Sequence, residues 1–297
     1  MNRQAKGRML RMTLRGGEAR VFLCDVKALA QRAREIHNAS NVCTAAMGRM
    51  LAAGAMLGAQ LKSEGDTITA TMNGGGPAGA LTVVARPNGA LKVTIDEPEI
   101  ELALKPNGKL DVGGAIGADG RLTVMRSLGF GEPYVGQVNL VSGEVAEDFA
   151  MYYTASEQTP SLCALGVLVG EDVISAGGVL IQAMPGCSED LIHQLEIRAE
   201  LFGTISQALH ENTLDEMVQM YFRGLEPEIL EESEPELVCD CSRERIEQVL
   251  LSMGEQQLRE MAEEDHGAEL TCHFCRSAYR FTQEELEKLI TQGKERA

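Results

Sequence analysis

The chain has 297 residues, of which 44% are hydrophobic, so it can bury a sizeable core and fold as two domains. Its formal net charge is −17, and residues 231–297 contribute 17 acidic against 8 basic side chains. Proteins that bind nucleic acid neutralise phosphates with Lys and Arg, so this charge argues against a nucleic-acid partner.

The N-terminal segments argue against secretion and membrane insertion. Residues Met1–Arg15 are basic but lead into no apolar core of signal-peptide length, which predicts a cytoplasmic protein with reduced thiols. The most membrane-like run, Asn41–Leu61, is rich in Ala, Gly and Met and contains Arg49. It is too weakly apolar for a membrane span and predicts a buried, closely packed helix, so no membrane partner is expected.

Residues 1–186 are predicted to form an N-terminal mixed α/β-sheet domain, and the whole chain an α+β fold. Helices are expected over Val26–His37, after Ser40, and over Ser142–Ser156. The glycine-rich Gly74–Gly79 lacks the Gly-Lys-Ser/Thr ending of a phosphate loop and predicts a sharp connection between strands. The predicted strands are Met9–Leu14, Ala19–Asp25, Thr67–Met72, Ala80–Arg86, Ala90–Ile95, Leu122–Ser127, Gly136–Leu140, Ser161–Val169 and Val173–Ala183.

Residues 187–236 are predicted to form a helical and acidic linker region. Apolar residues recur at helical spacing over Ser188–Leu209 and again over Leu214–Tyr221. The acidic run Glu231–Glu236 that follows is typical of a solvated, weakly ordered segment. We therefore expect amphipathic helices that dock on another surface and can be released from it.

Residues 237–297 are predicted to form a small C-terminal zinc domain with four cysteine ligands. Cys239 and Cys241 form a C-x-C pair, and Cys272 and Cys275 form a C-x-x-C pair. Each pair offers two sulfurs from one tight turn, and four thiolates at the corners of a tetrahedron suit Zn²⁺. We expect one zinc ion per reduced chain. This spacing leaves open iron–sulfur or copper(I) as the metal, two structural disulfides, or four unrelated thiols.

Metal and fold are expected to be coupled in this domain, because about 60 residues with few aromatics form only a marginal core. Zinc binding in comparable modules contributes roughly 10–16 kcal/mol. Oxidants convert neighbouring thiols to disulfides, and each disulfide removes two ligands. Oxidation should therefore expel the metal and remove the main support of the fold.

Other reactive side chains form no catalytic set in the sequence, so no enzyme activity is expected. His266 and His273 are possible substitute ligands, but four sulfurs already complete the shell. The acidic residues near position 145 are expected to favour a helix dipole rather than acid–base chemistry. Those residues are Glu144, Glu147 and Asp148, and the remaining cysteines, expected to be small buried hydrophobic residues, are Cys24, Cys43, Cys163 and Cys187.

Taken with these motifs, the sequence resembles the heat-shock protein 33 family of redox-regulated holdase chaperones over nearly its whole length. The most specific match is Cys239–Arg245 together with Cys272–Cys275. Further similar stretches are Pro133–Asp148, Ser156–Gln158, Leu165–Val167, Ala176–Gly178 and the Gly74–Gly79 turn.

The resemblance implies a cytoplasmic, ATP-independent holdase that is inactive when reduced and zinc-bound. It implies that oxidation joins Cys239 to Cys241 and Cys272 to Cys275, that zinc is released, and that the linker region unfolds. The activated form is then expected to dimerise and to bind unfolding client proteins, preventing their aggregation under oxidative stress.

Two other functions stay open at the level of sequence. The C-x-x-C motif also occurs in thiol–disulfide oxidoreductases, although the βαβ context of thioredoxin-like enzymes is missing around it. An enzyme of unknown chemistry with a static zinc module is the second alternative.

Overall fold

The computed structural model describes residues 5–129 and 131–296, which fall into two compact units, Met1–Val238 and Cys239–Ala297. Both helices and sheets are present, and the predicted α+β class is confirmed. Residues 187–236 belong to the first unit. Their predicted role as a separate linker region, bounded at 186 and 236, stays a prediction.

One sheet of the first unit has five strands, each antiparallel to its neighbours, in the order β10-β1-β2-β9-β8. The first two strands, both predicted, form an antiparallel hairpin with Gly16 and Gly17 at positive φ in its turn. The strands are β1 (Arg8–Leu14), β2 (Ala19–Asp25), β8 (Ser161–Val169), β9 (Val173–Ala183) and β10 (Glu228–Ser233).

A second sheet has six strands in the order β11-β5-β4-β3-β6-β7, and only its β11–β5 pair is parallel. The glycine-rich Gly74–Gly79 connects β3 to β4, as predicted. A Cβ on Gly74 would lie 2.0 Å from the carbonyl oxygen of Gly117, so the loop packs directly on a neighbouring backbone. The strands are β3 (Thr67–Asn73), β4 (Leu81–Ala85), β5 (Ala90–Ile95), β6 (Arg121–Ser127), β7 (Tyr134–Asn139) and β11 (Glu236–Leu237).

The main core forms around helix α2 (Asn41–Gly58), which contacts strands of both sheets. Every residue of this helix except Asn41 and Arg49 is buried, which confirms the prediction of a closely packed helix. A helix that is apolar on all sides requires partners on all sides. The other helices of this part of the unit are α1 (Lys27–His37), α3 (Val112–Ile116) and α4 (Ala146–Ala155).

A second core lies on the opposite face of the five-stranded sheet and is covered by the helices that follow β9. These are α5 (Glu189–Ala199), α6 (Ile205–Glu211) and α7 (Leu214–Tyr221). The continuous helix predicted over Ser188–Leu209 is interrupted by a 3₁₀ turn, Glu200–Thr204, which carries the buried Phe202. The buried apolar side chains of these helices thus pack on the sheet of their own unit, whereas Ile192, Ile197 and Met220 are exposed.

The segment after α7 forms strands, so the prediction that its acidic run is weakly ordered is wrong. Residues Glu228–Ser233 form β10, which pairs with β1, and Glu236–Leu237 form β11, which pairs with β5. The sequence favours disorder here because glutamate and proline disfavour strands. Pairing with β1, which lies more than 200 residues away in the chain, overrides that local preference.

The second unit contains three helices and a β-hairpin around its own small core. Ser242 accepts a hydrogen bond from Arg245 N and caps the first helix. Thr282 and Glu285 exchange backbone and side-chain hydrogen bonds and form a capping box. The elements are α8 (Arg243–Met253), α9 (Glu255–Glu263), β12 (Gly267–Thr271), β13 (Ala278–Thr282) and α10 (Gln283–Arg296).

Candidate metal centre

Two short segments of the second unit carry the four predicted cysteine ligands. Cys239 and Cys241 lie just before α8, while Cys272 and Cys275 lie in the turn of the β12–β13 hairpin. In that turn Cys272 N donates to the Ser277 carbonyl and Arg276 N donates to the Cys272 carbonyl, both at 2.9 Å. These bonds close a tight turn, which holds the sulfur atoms of Cys272 and Cys275 on the same side of the hairpin.

The four sulfur atoms lie within 4.8 Å of one another. The Cys239 and Cys272 Sγ atoms are 3.7 Å apart, and the Cys241 and Cys275 Sγ atoms are 3.3 Å apart. A tetrahedral site with Zn–S bonds of about 2.3 Å requires sulfur–sulfur separations of about 3.8 Å. The cluster therefore fits a metal ion with four thiolate ligands, and all eight cysteines of the chain are free thiols.

Two hydroxyl groups adjoin the sulfurs. The Tyr279 hydroxyl donates a hydrogen bond of 3.0 Å to Cys241 Sγ, and a hydrogen bond of 3.3 Å joins Cys275 Sγ to Ser277 Oγ. Such partners fix the orientation of metal ligands and stabilise the thiolate form. The predicted site did not include either residue, although both lie within four positions of Cys275.

The thiols differ in acidity. Burial is the main reason that the pKa of Cys239 and that of Cys241 are raised. Burial also acts to raise the pKa of Cys275, but hydrogen bonds from Ser277 and the neighbouring cysteines outweigh it and lower this pKa to about 7. The Tyr279 pKa is raised to about 12, chiefly by its hydrogen bond to Cys241, so this phenol remains a donor at neutral pH.

Charged side chains connect the cysteine segments to the rest of the second unit. Asp240, between the first two cysteines, forms an ion pair with Arg245, whose guanidinium also donates to the Asp240 carbonyl at 3.0 Å. Arg243 lies over the Phe281 ring at 4.2 Å and pairs with Glu285 at 2.7 Å. The first turn of α8 is thus attached both to the C-x-C segment and to the hairpin.

The remaining predicted candidates lie outside the cluster. Neither His266 nor His273 belongs to the metal-binding group found among the described residues. Cys24 and Cys43 are buried, as expected, whereas Cys163 and Cys187 are only partly buried, so that prediction is wrong for these two. Burial raises the pKa of Cys24 and of Cys163 to about 12, which disfavours the nucleophilic thiolate form of both.

The acidic residues near α4 have structural partners. Glu144 forms ion pairs with Arg49 and Lys105 and accepts a hydrogen bond of 3.1 Å from Gly113 N. Glu147 and Asp148 lie in the first turn of α4, where negative charge favours the helix dipole, as predicted. The pairing of Glu144 with the half-buried Arg49 was not predicted, because these residues are 95 positions apart.

No helix in the described part of the chain is both long enough and apolar enough to cross a membrane.

Comparison with known proteins identifies one family. A family pattern described as "Hsp33 protein" matches residues 7–282. A 33 kDa chaperonin of Clostridium perfringens (strain SM101) is 44% identical over 289 residues, covering 96% of this chain and 92% of the relative. That of Clostridium novyi is 43% identical and covers 95% and 97%. The crystal structure of the 33 kDa chaperonin from Thermotoga maritima superposes with a TM-score of 0.87 at 30% identity, covering 98% and 99%.

Proposed function

This chain belongs to the Hsp33 family, and from that membership and its four-thiol cluster we propose that it is a redox-regulated, ATP-independent holdase without enzymatic activity. The observation that carries the proposal is the cluster of four cysteines, which lies in a compact unit of its own. We propose that the reduced chain holds one Zn²⁺ on Cys239, Cys241, Cys272 and Cys275 and is inactive in that state. The proposed location is the cytoplasm, where thiols are kept reduced at rest.

Zinc supplies a structural link between the two cysteine segments rather than reaction chemistry. The core of the second unit contains one buried aromatic residue, Phe281, and six buried aliphatic residues. A core of this size depends on a metal or another cross-link. Loss of the sulfur ligands should therefore unfold this unit, and the core of the first unit, which contains none of the ligands, should remain folded.

Oxidation is proposed to form the disulfides Cys239–Cys241 and Cys272–Cys275. Each bond forms as two thiols lose two electrons and two protons, which convert one hydrogen peroxide to two waters. Disulfides within the motifs leave the two segments unconnected and allow unfolding. A bond between Cys241 and Cys275, whose sulfurs are 3.3 Å apart, would instead tie the segments together. Peptide mapping of the oxidised protein distinguishes the two, and bonds between the motifs would contradict the proposed switch.

The surface proposed to bind clients lies in residues 187–236 and in the sheet face beneath them. In the structure this region covers the face with the buried side chains of Leu191, Phe202 and Met217, among others. Unfolding of the region would expose both apolar surfaces, and large exposed apolar patches bind other proteins. Unfolding client proteins are the proposed partners, and the activated form is proposed to be a homodimer.

The test is suppression of client aggregation by the full chain, before and after peroxide treatment at raised temperature, with zinc content measured in parallel. We expect about one zinc per reduced chain, its release on oxidation, and activity only afterwards. Cys239→Ser and Cys272→Ser should each weaken zinc binding, and unchanged zinc affinity in both would contradict the ligand assignment. Activity without a change in zinc content, or turnover of a disulfide substrate, would favour the alternative functions.

A further inference from the structure

Strand β10 lacks the features that normally hold a strand in a sheet. All but one of its residues are exposed and none is buried, so it contributes no side chain to either core of the first unit. Prolines at 227 and 235 flank it, and the stretch from Glu226 to Asp240 contains seven acidic and no basic residues. Charge repulsion and low strand propensity both oppose this conformation in isolation. Its backbone ladder to β1 therefore needs support from elsewhere.

Strand β1 supplies that support through its charge. Lys6 pairs with Glu234 at 2.8 Å, Arg8 with Glu232 at 2.7 Å, and Arg11 with Glu231 at 3.4 Å. The β1–β10 register places Arg11 opposite Glu231 and Glu232 opposite Leu10, two positions from Arg8. Lys6 and Glu234 lie just outside the two strands. The positive charges on and beside β1 thus offset the repulsion between the acidic side chains of β10.

The same basic strand also fastens the helical region. Arg8 binds Asp215 in the first turn of α7 at 2.5 Å, in addition to Glu232. Arg15, directly after β1, binds Asp190 in the first turn of α5 at 2.7 Å, and its backbone N donates to the Leu225 carbonyl. Arg8 therefore joins three elements, β1, β10 and α7, through one guanidinium group.

We propose that these contacts form a charge clamp, in which Lys6, Arg8, Arg11 and Arg15 hold β10 and the helices α5–α7 on the five-stranded sheet, and which rising ionic strength loosens without any change at the cysteines. In each of these ion pairs the acidic partner is more than half exposed, so dissolved salt can screen the pair. The apolar core beneath the helices has no such dependence. The clamp thus adds an ionic control to the release of this region, and only its effect on client binding rests on the proposed function.

The first test is hydrogen exchange on the reduced, zinc-loaded full chain at two salt concentrations. Raising NaCl from about 0.1 M to about 1 M shortens the screening length from about 10 Å to about 3 Å. Amides of β10 and of the first turns of α5 and α7 should then exchange about three- to tenfold faster, because several exposed pairs weaken together. Amides of α2 serve as the internal reference and should not change. Equal exchange at both salt concentrations would overturn the proposal.

The second test reverses the central charge. Arg8→Glu should accelerate exchange of β10 and α7 at low salt about tenfold and should abolish most of the salt dependence. Adding Glu232→Arg restores one ion pair with reversed sign and should recover part of the protection. The matched control is Arg259→Gln, which removes exposed ion pairs with Glu255 and Glu263 on α9 and should leave β10 unaffected. If Arg8→Glu fails to fold, Asp215→Asn removes only the α7 contact and should accelerate exchange of α7 at low salt, and unchanged α7 exchange in that variant would contradict the clamp.

Zinc content and aggregation suppression are measured on the same samples. Faster exchange of β10 with zinc retained supports the clamp, and higher holdase activity of reduced Arg8→Glu would also support the proposed client surface. Faster exchange without activity would leave the clamp intact and contradict the client surface. Loss of zinc in Arg8→Glu before any change in exchange would overturn the clamp as a separate control.

Discussion

The phenol of Tyr279 is the side chain whose role at the sulfur cluster can be separated most cleanly from folding. Its hydroxyl donates to Cys241 Sγ at 3.0 Å, while its ring packs against the small core of the second unit. Replacement by phenylalanine keeps the ring and removes only the hydrogen bond. The hydrogen bond stabilises negative charge on sulfur and so reduces its reactivity toward oxidants.

Tyr279→Phe should therefore weaken zinc binding about tenfold, the lower end for loss of such a ligand partner. Release of zinc by peroxide should also become faster. Competition with a chromophoric chelator measures the first effect and stopped-flow release the second. Tyr134→Phe, at an exposed tyrosine of β7, is the control. Unchanged affinity and release rate would show that the hydroxyl has no influence on the metal ligands.

Glu144 gives a prediction for the first unit that depends on pH. Burial acts to raise the pKa of this carboxyl, but Lys105, Arg49 and the Gly113 amide outweigh burial and hold it below its ordinary value of 4.5. A depressed carboxyl pKa contributes stability that is present above the unfolded-state value and lost as pH falls through the folded-state value.

Glu144→Gln should accordingly destabilise the first unit by about 1–3 kcal/mol at pH 7, since Arg49 loses its half-buried partner. The difference from the parent chain should shrink as pH falls below about 4.5. Urea unfolding at several pH values measures this difference in the free energy of unfolding. The control is Glu147→Gln, at the exposed start of α4, which should lower the free energy of unfolding by less than about 1 kcal/mol. A penalty for Glu144→Gln that stays constant down to pH 3 would contradict the ion-pair explanation.

At the scale of elements, helix α2 shows how closely the sheets approach the helix that they enclose. A Cβ on Gly54 would lie 2.6 Å from the Cγ2 atom of Val83 in β4. Alanine normally favours a helix over glycine by about 1 kcal/mol. Here the added methyl group has no space, and a β-branched neighbour in a strand cannot turn away.

Gly54→Ala should therefore destabilise the first unit by about 1–3 kcal/mol in spite of its better helix propensity. Gly203, in the turn before α6, has open space around its Cα, and Gly203→Ala should be neutral or slightly stabilising. Thermal unfolding of both variants measures the contrast. A more stable Gly54→Ala protein would show that α2 and β4 can separate at little cost.

Elements with a local signal could be predicted from the sequence, and elements formed by distant partners could not. The small-residue composition of α2 and the Asn88–Gly89 turn between β4 and β5 act within a few residues. Strand β10 could not be predicted, because its own sequence favours disorder and the strand that it pairs with, β1, is distant in the chain. The four cysteines could be chosen by spacing alone, whereas the Tyr279 contact depends on how β13 folds back over the C-x-C segment.

At the scale of the whole molecule, the packing of α5–α7 bears on how the proposed zinc-bound state would be kept inactive. The buried apolar side chains of these helices pack on the five-stranded sheet of their own unit. The proposed inhibition would then act through the segment that leads to Cys239. In that segment Val238 N donates to the Leu91 carbonyl at 2.9 Å, one residue before the first proposed ligand.

A chain that ends after Glu232 should suppress client aggregation without oxidant, zinc or ATP. The truncation removes β11, the last residue of β10 and the Lys6–Glu234 pair, so a strand without buried side chains loses its C-terminal anchor. The reduced full chain, in the same assay, is the control, and circular dichroism checks that the truncated chain is folded. A folded but inactive truncated chain, with α5–α7 protected from exchange, would show that anchoring of this segment does not control activity.

The paired strands β1 and β10 lie near opposite ends of the amino-acid sequence of the first unit. Arg8 and Glu232 are 224 positions apart in the chain. During synthesis at about 5–20 residues per second, β1 is made at least about ten seconds before β10. Throughout that interval the edge of β1 is unpaired. Every new molecule therefore passes through an intermediate whose exposed edge is the one that the proposed release of β10 would expose. Cells that make this protein rapidly should contain a short-lived population of nascent chains that can bind other polypeptides before any oxidant is present.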